Sequence, residues 1–204
     1  MTDIGYSPAM AQLVETLCQF DGVGPVTAER MAMQVMVFPP EFAEELADRL
    51  LRAKRLVGFC HRCYSFAENG ECQVCQKAKQ GKRDRTKLIV VASARDVIPV
   101  EKTGEYNGCF HVLGGLISPI DGIGPEALHI QPLIDRVEKG KHQEVILLLP
   151  PNPESEVTEQ YLVQLLSPLT QVSRVAIGLA LGSEIGSDTV TLARALSDRR
   201  RVEA

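Results

Sequence analysis

KLIVVASARDVIPVEK, residues 87–102, decides the fold class. Lys87–Ser93 reads as a β-branched strand, and Asp96–Lys102 as a short helix directly after it. The same alternation continues towards the C-terminus. Cys109–Leu113 is a second strand, and the glycine-rich stretch Gly114–Pro125 leads to a helix around Ile130–Lys139. Glu144–Leu149 is a buried-type strand, Glu156–Leu166 a helix, Arg174–Leu181 a strand and Thr189–Leu196 a final helix. Strands alternating with helices predict a parallel sheet covered on both faces, so the class is α/β. Such sheets carry their sites at the strand ends. Here these are Ala92–Asp96, Gly114–Pro125 and Pro150–Glu156.

Immediately before the first strand the chain is strongly basic. Lys77, Lys79, Lys82, Arg83, Arg85 and Lys87 face only Asp84, a local charge of +5 in a chain of net charge −4. A concentrated run of this kind attracts phosphate even on an acidic protein; the alternative is a solvated linker.

Further upstream, four of the six cysteines form Cys60-His-Arg-Cys63, eight residues, then Cys72-Gln-Val-Cys75. Each C-x2-C pair puts two sulfurs on one tight turn, and two turns complete a tetrahedral set of four thiolates. A segment with few apolar residues gains folding energy from a metal instead of a core. Zn2+ in a structural role is the reading, with no position open for a catalytic water. Two disulfides or four free thiols are the alternatives, and iron is the competing metal. Cys18 and Cys109 stand alone and read as buried small hydrophobes.

Three helices precede the cysteines. Met10, Leu13, Val14, Leu17 and Cys18 share one face; Ala28, Met31, Ala32, Val35 and Met36 share another. Phe42, Leu46, Leu50, Ala53 and Val57 extend a third after the Pro39-Pro40 break. One apolar stripe per helix predicts that the three pack together as a core. Between the first two lies Asp21-Gly22-Val23-Gly24-Pro25, with Pro25 suited to a first helical position. Backbone N–H groups at such a turn hold phosphate oxygens, as in a helix-hairpin-helix; an ordinary αα-hairpin is the alternative. Thr27 and Arg30, polar beside the stripe, favour nucleic acid. Asp121-Gly-Ile-Gly-Pro125 nearly repeats the turn but lacks the flanking helices.

The chain is 204 residues long, 45% hydrophobic and 24% charged, values of a folded globular protein. No apolar run nears the ~18 residues that span a bilayer. MTDIGYSPAM has neither a basic flank nor a long apolar core, so no secretory signal is expected there. Cytoplasmic localisation is the expectation.

The order helix-GVGP-helix, CHRC–CQVC, then Thr103-Gly-Glu-Tyr106 and His111-Val-Leu-Gly-Gly-Leu-Ile-Ser-Pro-Ile-Asp-Gly-Ile-Gly-Pro125, resembles the bacterial RecR recombination mediators over nearly the whole chain. The resemblance implies an N-terminal helix-hairpin-helix domain (1–58), a four-cysteine zinc finger (59–76) and a basic linker (77–86). After these come a Toprim-like α/β domain (87–183) and a C-terminal helical segment (184–204). It further implies a homo-oligomeric ring that binds single-stranded and duplex DNA without reading sequence. Such a clamp acts with RecO and RecF to load recombinase on gapped DNA. On this reading Cys60, Cys63, Cys72 and Cys75 hold the metal. Gly22, Val23, Gly24, Arg30, Lys82, Arg83 and Arg85 contact DNA, and Asp96, Glu154 and Glu156 meet a partner.

The sequence departs from the family pattern at several positions. Val26 stands where a lysine is usual, and the first Toprim strand ends in Ala92-Ser93 rather than a glutamate. Asn152-Pro-Glu-Ser-Glu156 is a shortened acidic stretch, and Gly178–Gly186 is also short. A competing function is magnesium-dependent cleavage or joining of phosphodiesters, which needs an acid at the first strand end and clustered carboxylates. Asp96, Glu101, Glu154 and Glu156 are available, but Ala92 takes the first place, so no catalytic residue is assigned. A zinc-ribbon adaptor that binds only proteins is the third reading.

Overall fold

A computed structural model describes residues 6–140, 142–175, 185 and 189–202. The chain divides after Leu56 into two compact units.

The first unit is helical. α1 (Pro8–Leu17) starts where the Ser7 hydroxyl accepts the Met10 N–H at 3.4 Å. α2 (Pro25–Val37) starts on the Gly24-Pro25 step and stops before Pro39, and α3 (Pro40–Leu56) follows. α1 packs on α2, and Ala28 and Ala32 are fully buried. The expected three-helix core is not what forms. Met36 and Leu50 are 62% and 61% exposed, and α3 buries no residue. With alanines as the only fully buried side chains, the bulkier members of each stripe stay on the unit's surface.

The second unit begins with an antiparallel hairpin, β1 (Val57–Phe59) against β2 (Phe66–Glu68), followed by α4 (Gln73–Lys79). α4 puts Lys77 and Lys79 on a helix, where the sequence reading has only a basic linker. The sheet is built from β3 (Lys87–Val91), β4 (Cys109–Val112), β5 (Glu144–Leu148), β6 (Gln171–Arg174) and β7 (Arg200–Val202), in the order β4-β3-β5-β6-β7. The four strands β4, β3, β5 and β6 are parallel.

Alternation sorts the side chains by face. Leu88 and Val90 of β3, with Val145 and Leu147 of β5, meet α6 (Ile130–Lys139) and α7 (Pro153–Leu166). Ile89, Val91, Ile146 and Leu148 meet α5 (Val97–Thr103) and α8 (Thr189–Ser197) on the other side. The sheet is thus covered on both faces, as the strand–helix alternation requires.

Three local findings differ from the sequence reading. β6 starts at Gln171, earlier than the expected Arg174, because Val172 supplies the core-facing side chain. The remainder of that expected strand, and the short glycine-rich stretch after it, fall within 176–184 and 186–188, mostly outside the described residues. The C-terminal segment is not wholly helical: β7 pairs antiparallel with β6. Arg200-Arg201-Val202 carries too little apolar pattern to be read as a strand, and the exposed edge of β6 supplies its order. Gly114–Pro125 is a loop pinned by a tight turn. Ser118 and Ile123 exchange both backbone bonds, at 3.0 and 2.9 Å, and Gly122 sits at φ +69°.

The C-terminal end is held to the sheet by charge. Arg199 donates from Nε and Nη2 to the two carboxylate oxygens of Glu144, at 2.6 and 2.8 Å. That fork holds the Glu144 carboxyl below its ordinary range. A depressed carboxyl contributes stability above its unfolded pKa, about 4.3, and loses it as pH falls through the folded value. Glu144→Gln is therefore expected to destabilise the protein by about 1.5–3 kcal/mol at pH 7. In urea titrations across pH, the difference from wild type should vanish under acid conditions.

Candidate metal centre and nucleic-acid interface

The β1–β2 hairpin exists to present sulfur. The Cys60 N–H donates to Ser65 O at 2.8 Å, and the Tyr64 N–H donates back to Cys60 O at 2.9 Å, closing the first knuckle. Tyr64 takes φ +62° to make that turn. The second knuckle is tied to the first by the His61 N–H on Gly70 O at 2.9 Å. Gly70 sits at φ +77°, and the His61 ring fills the space where a Cβ would stand, so only glycine serves. Cys72 caps α4, its sulfur accepting the Cys75 N–H at 3.4 Å.

The result is four buried cysteines whose sulfurs lie within 4.8 Å of one another. Cys63 and Cys72 sulfurs are 3.4 Å apart, far beyond a disulfide bond of about 2.05 Å, and all four are free thiols. Their electrostatics are those of a site crowded with one sign of charge. The Cys72 thiol is pulled down to about 2 by hydrogen bonds from Cys63 and Cys75. Cys63 is pushed up to about 12, chiefly by its bond to Cys72, and Cys75 is also raised, chiefly by Cys63. Sulfurs this close oppose one another's ionisation, and a cation at the centre is what lets four thiolates sit together. The donor set fits a tetrahedral metal with no open position. It is the only such cluster of His, Cys, Asp or Glu among the described residues.

The finger docks on the sheet of the same unit. The Val112 N–H donates to Cys63 O at 2.8 Å, and Arg136 of α6 donates from Nη1 to Phe110 O at 2.6 Å. Tyr64 stacks on His129 with ring centres 3.8 Å apart.

In the first unit, the turn between α1 and α2 is open. Gly22 takes φ +79°, and neither Gly22 nor Gly24 has anything within 4 Å of its would-be Cβ. The Val23 N–H is turned inward to Phe20 O at 3.0 Å, whereas no described group accepts from the Gly22 or Gly24 N–H. Arg30 is exposed on α2, and no carboxylate among the described residues pairs with it.

The basic run does not behave as one patch. Lys82 and Arg85 are exposed, but Arg83 is not available to DNA. Its side chain is 7% exposed; it forks onto Glu101 at 2.6 and 2.9 Å, donates to Gly108 O at 2.9 Å and lies over the Phe110 ring. Burial against Phe110 turns this cation into a structural strut. Asp96 is corrected in the same way. It is buried, and its carboxylate accepts the Ser93 N–H at 2.8 Å in a capping box, so it faces the chain rather than a partner. Glu154 and Glu156 share the first turn of α7, Glu154 half-buried and Glu156 exposed. The acids a magnesium mechanism would draw on are thus dispersed, with Glu101 on Arg83, Asp96 on Ser93 and Ala92 at the strand end.

Two cations that the sequence reading leaves out prove important. Arg62 lies inside the first knuckle and Arg136 on α6; both line a cleft with Arg85. Arg62 is signalled only as a middle residue of Cys60-His-Arg-Cys63, and Arg136 carries no local signal.

A site of four buried sulfurs stands or falls as a unit. We expect Cys72→Ser to remove the bound metal and to lower the melting temperature of the second unit by roughly 10 °C. Cys18→Ser, in the other unit, should leave the metal content per chain unchanged. Elemental analysis and a thermal scan check both.

Comparison with known proteins agrees with this architecture. The family model described as RecR, helix-hairpin-helix, matches residues 10–54, and that of the Toprim domain matches residues 86–176. Recombination protein RecR of Rippkaea orientalis is 46% identical over 199 residues, covering 97% of this chain and 100% of that protein. RecR of Acaryochloris marina is 47% identical over 199 residues, covering 97% and 98%. RecR of Synechococcus elongatus is 47% identical over 196 residues, covering 96% and 97%. With the helical hairpin, the four-cysteine cluster and the two-faced sheet in the same order along the chain, the protein belongs to the RecR family of recombination proteins.

Proposed function

We propose that the chain is a non-enzymatic, DNA-binding recombination mediator. It acts with RecO and RecF to help load recombinase on gapped single-stranded DNA. The observation that carries this reading is the α1–α2 turn, where the Gly22 and Gly24 amides are unengaged and Arg30 has no described acidic partner. Amides at a helix N-terminus beside an unpaired guanidinium suit a phosphate oxygen, and they read no bases. Lys82 and Arg85 are exposed cations of the second unit that also suit a phosphate backbone. Val26 supplies no cation, so one subunit binds weakly.

The exposed apolar stripes of α2 and α3 support assembly of several subunits into a ring around DNA, where weak contacts multiply through effective concentration. Glu154 and Glu156 are the acidic positions for a protein partner. Zn2+ is the metal that best suits four thiolates in a closed tetrahedral site, and its role is structural. The Toprim sheet serves here as a scaffold. A catalytic Toprim mechanism lacks its first acid at Ala92, and Asp96 is committed to its cap.

Each phosphate contact contributes a slope of about −0.9 to log K against log salt on duplex and about −0.7 on single strands. Arg30→Ala should weaken binding alike for all sequences and flatten the slope by about one such contact per subunit. Unchanged affinity and slope would remove the hairpin from the interface. Co-precipitation of RecO with and without DNA tests the partner, and cleavage of plasmid by the pure protein with magnesium would overturn the non-enzymatic reading.

A further inference from the structure

The second unit contains a cleft of about 920 Å³ that the function described so far does not use. Its walls are the finger, the chain just before β3 and the C-terminal half of α6. They contribute Arg62, Arg85, Arg136 and Lys139, with Asp135 as the only carboxylate. Asp135 is already engaged, accepting from Gln131 at 2.9 Å and pairing with Lys139 at 3.5 Å. Three guanidinium groups are therefore left without an opposing charge among the described residues.

Arg136 is the most telling of them. Its Nη1 is spent on the carbonyls of Phe110 and Arg62, at 2.6 and 3.4 Å, which fixes the plane of the group. Its Nε and Nη2 are buried donors with no partner among the described residues. Unsatisfied buried donors of this kind cost free energy unless something occupies them. The positive field is also felt inside the cleft. His142 is held down to about 4, first by burial and then by Arg136, Arg62 and Arg85.

We propose that this cleft is a second nucleic-acid site, which takes a backbone phosphate of single-stranded DNA on Arg62, Arg85 and Arg136. A phosphodiester supplies the negative charge that the three guanidinium groups lining the cleft lack, and several acceptor oxygens for them. Single strand rather than duplex follows from the remaining wall. The rings of His61, Tyr64 and His142 line the same recess, and an unpaired base has a face to lay against such a wall. The volume admits a nucleotide with its neighbours rather than an ion alone. The proposal deepens the DNA-binding reading and rests on it; it shares Arg85 with that reading and uses no residue of the hairpin.

The test is fluorescence anisotropy of the full-length protein on a labelled oligo-dT over a salt series. Arg62→Ala with Arg85→Ala, which leave the backbone hydrogen bonds of both residues in place, is expected to weaken binding at least about tenfold. The same pair should flatten the salt slope by about 0.7, the share of the one phosphate the cleft takes. Arg136→Lys keeps one donor towards Phe110 and removes the orphaned ones; it should weaken binding with an unchanged melting temperature. Lys102→Ala with Arg194→Ala, matched in charge and on α5 and α8 of the opposite sheet face, should bind as wild type. If wild type binds oligo-dT and the Arg62/Arg85 pair matches it in affinity and slope, the cleft is not a strand site and the hairpin reading stands. If the pair loses binding while Arg30→Ala does not, the cleft stands and the hairpin reading fails. A titration with dTMP separates strand from free nucleotide: saturation at micromolar concentration would overturn the strand assignment, and no saturation below millimolar supports it.

Discussion

Four buried sulfurs within 4.8 Å cannot all carry charge without a cation among them, and much of the second unit is arranged around that constraint. Two knuckles, one closed by a left-handed Tyr64 and the other by Gly70 under His61, exist only to point the sulfurs inward. The metal-supported finger is then bonded to β4 through Cys63 and Val112, and to α6 through the Arg62 carbonyl and Arg136. Loss of the metal would therefore free more than a surface ornament. It would release Tyr64 from His129 and open the cleft whose cations the finger helps to gather.

Charge elsewhere in this unit is spent on structure. Arg83 holds Glu101, Arg199 holds Glu144, and Asp96 caps its own turn. Acids and bases that a strand-end catalyst would direct at a substrate are here turned on one another. The sheet is left as a rigid frame, with Ala92 and Ser93 at the position where chemistry would begin. Arg30 beside the open turn of the first unit and the three arginines of the cleft beside the finger pair with no carboxylate among the described residues.

Much of this was legible in the sequence because it depends on local pattern. The β-branched run of β3, the C-x2-C spacing and the Gly24-Pro25 helix start each encode their structure within a few residues. What escaped depends on partners far along the chain. β7 has almost no apolar signature and is ordered by the edge of β6. Arg83 looks like any member of a basic run until Glu101 and Phe110 close over it. For Asp96 the sequence leaves partner contact, surface charge and helix capping open, and the Ser93 N–H selects the cap. In the first unit, periodicity identified the helices but overstated the core, since an apolar stripe says nothing about whether the chain itself covers it. Arg62 and Arg136 lie 74 residues apart, and only the docking of the finger makes them neighbours.

The most direct test of this account is to strip the metal with a chelator and follow single-strand binding and metal content together. The account predicts one zinc per chain. It also predicts that zinc removal flattens the salt slope on oligo-dT by the share due to the cleft, while the share due to Arg30 persists. Protein purified without any metal, or stripped protein that keeps its full slope, would contradict it.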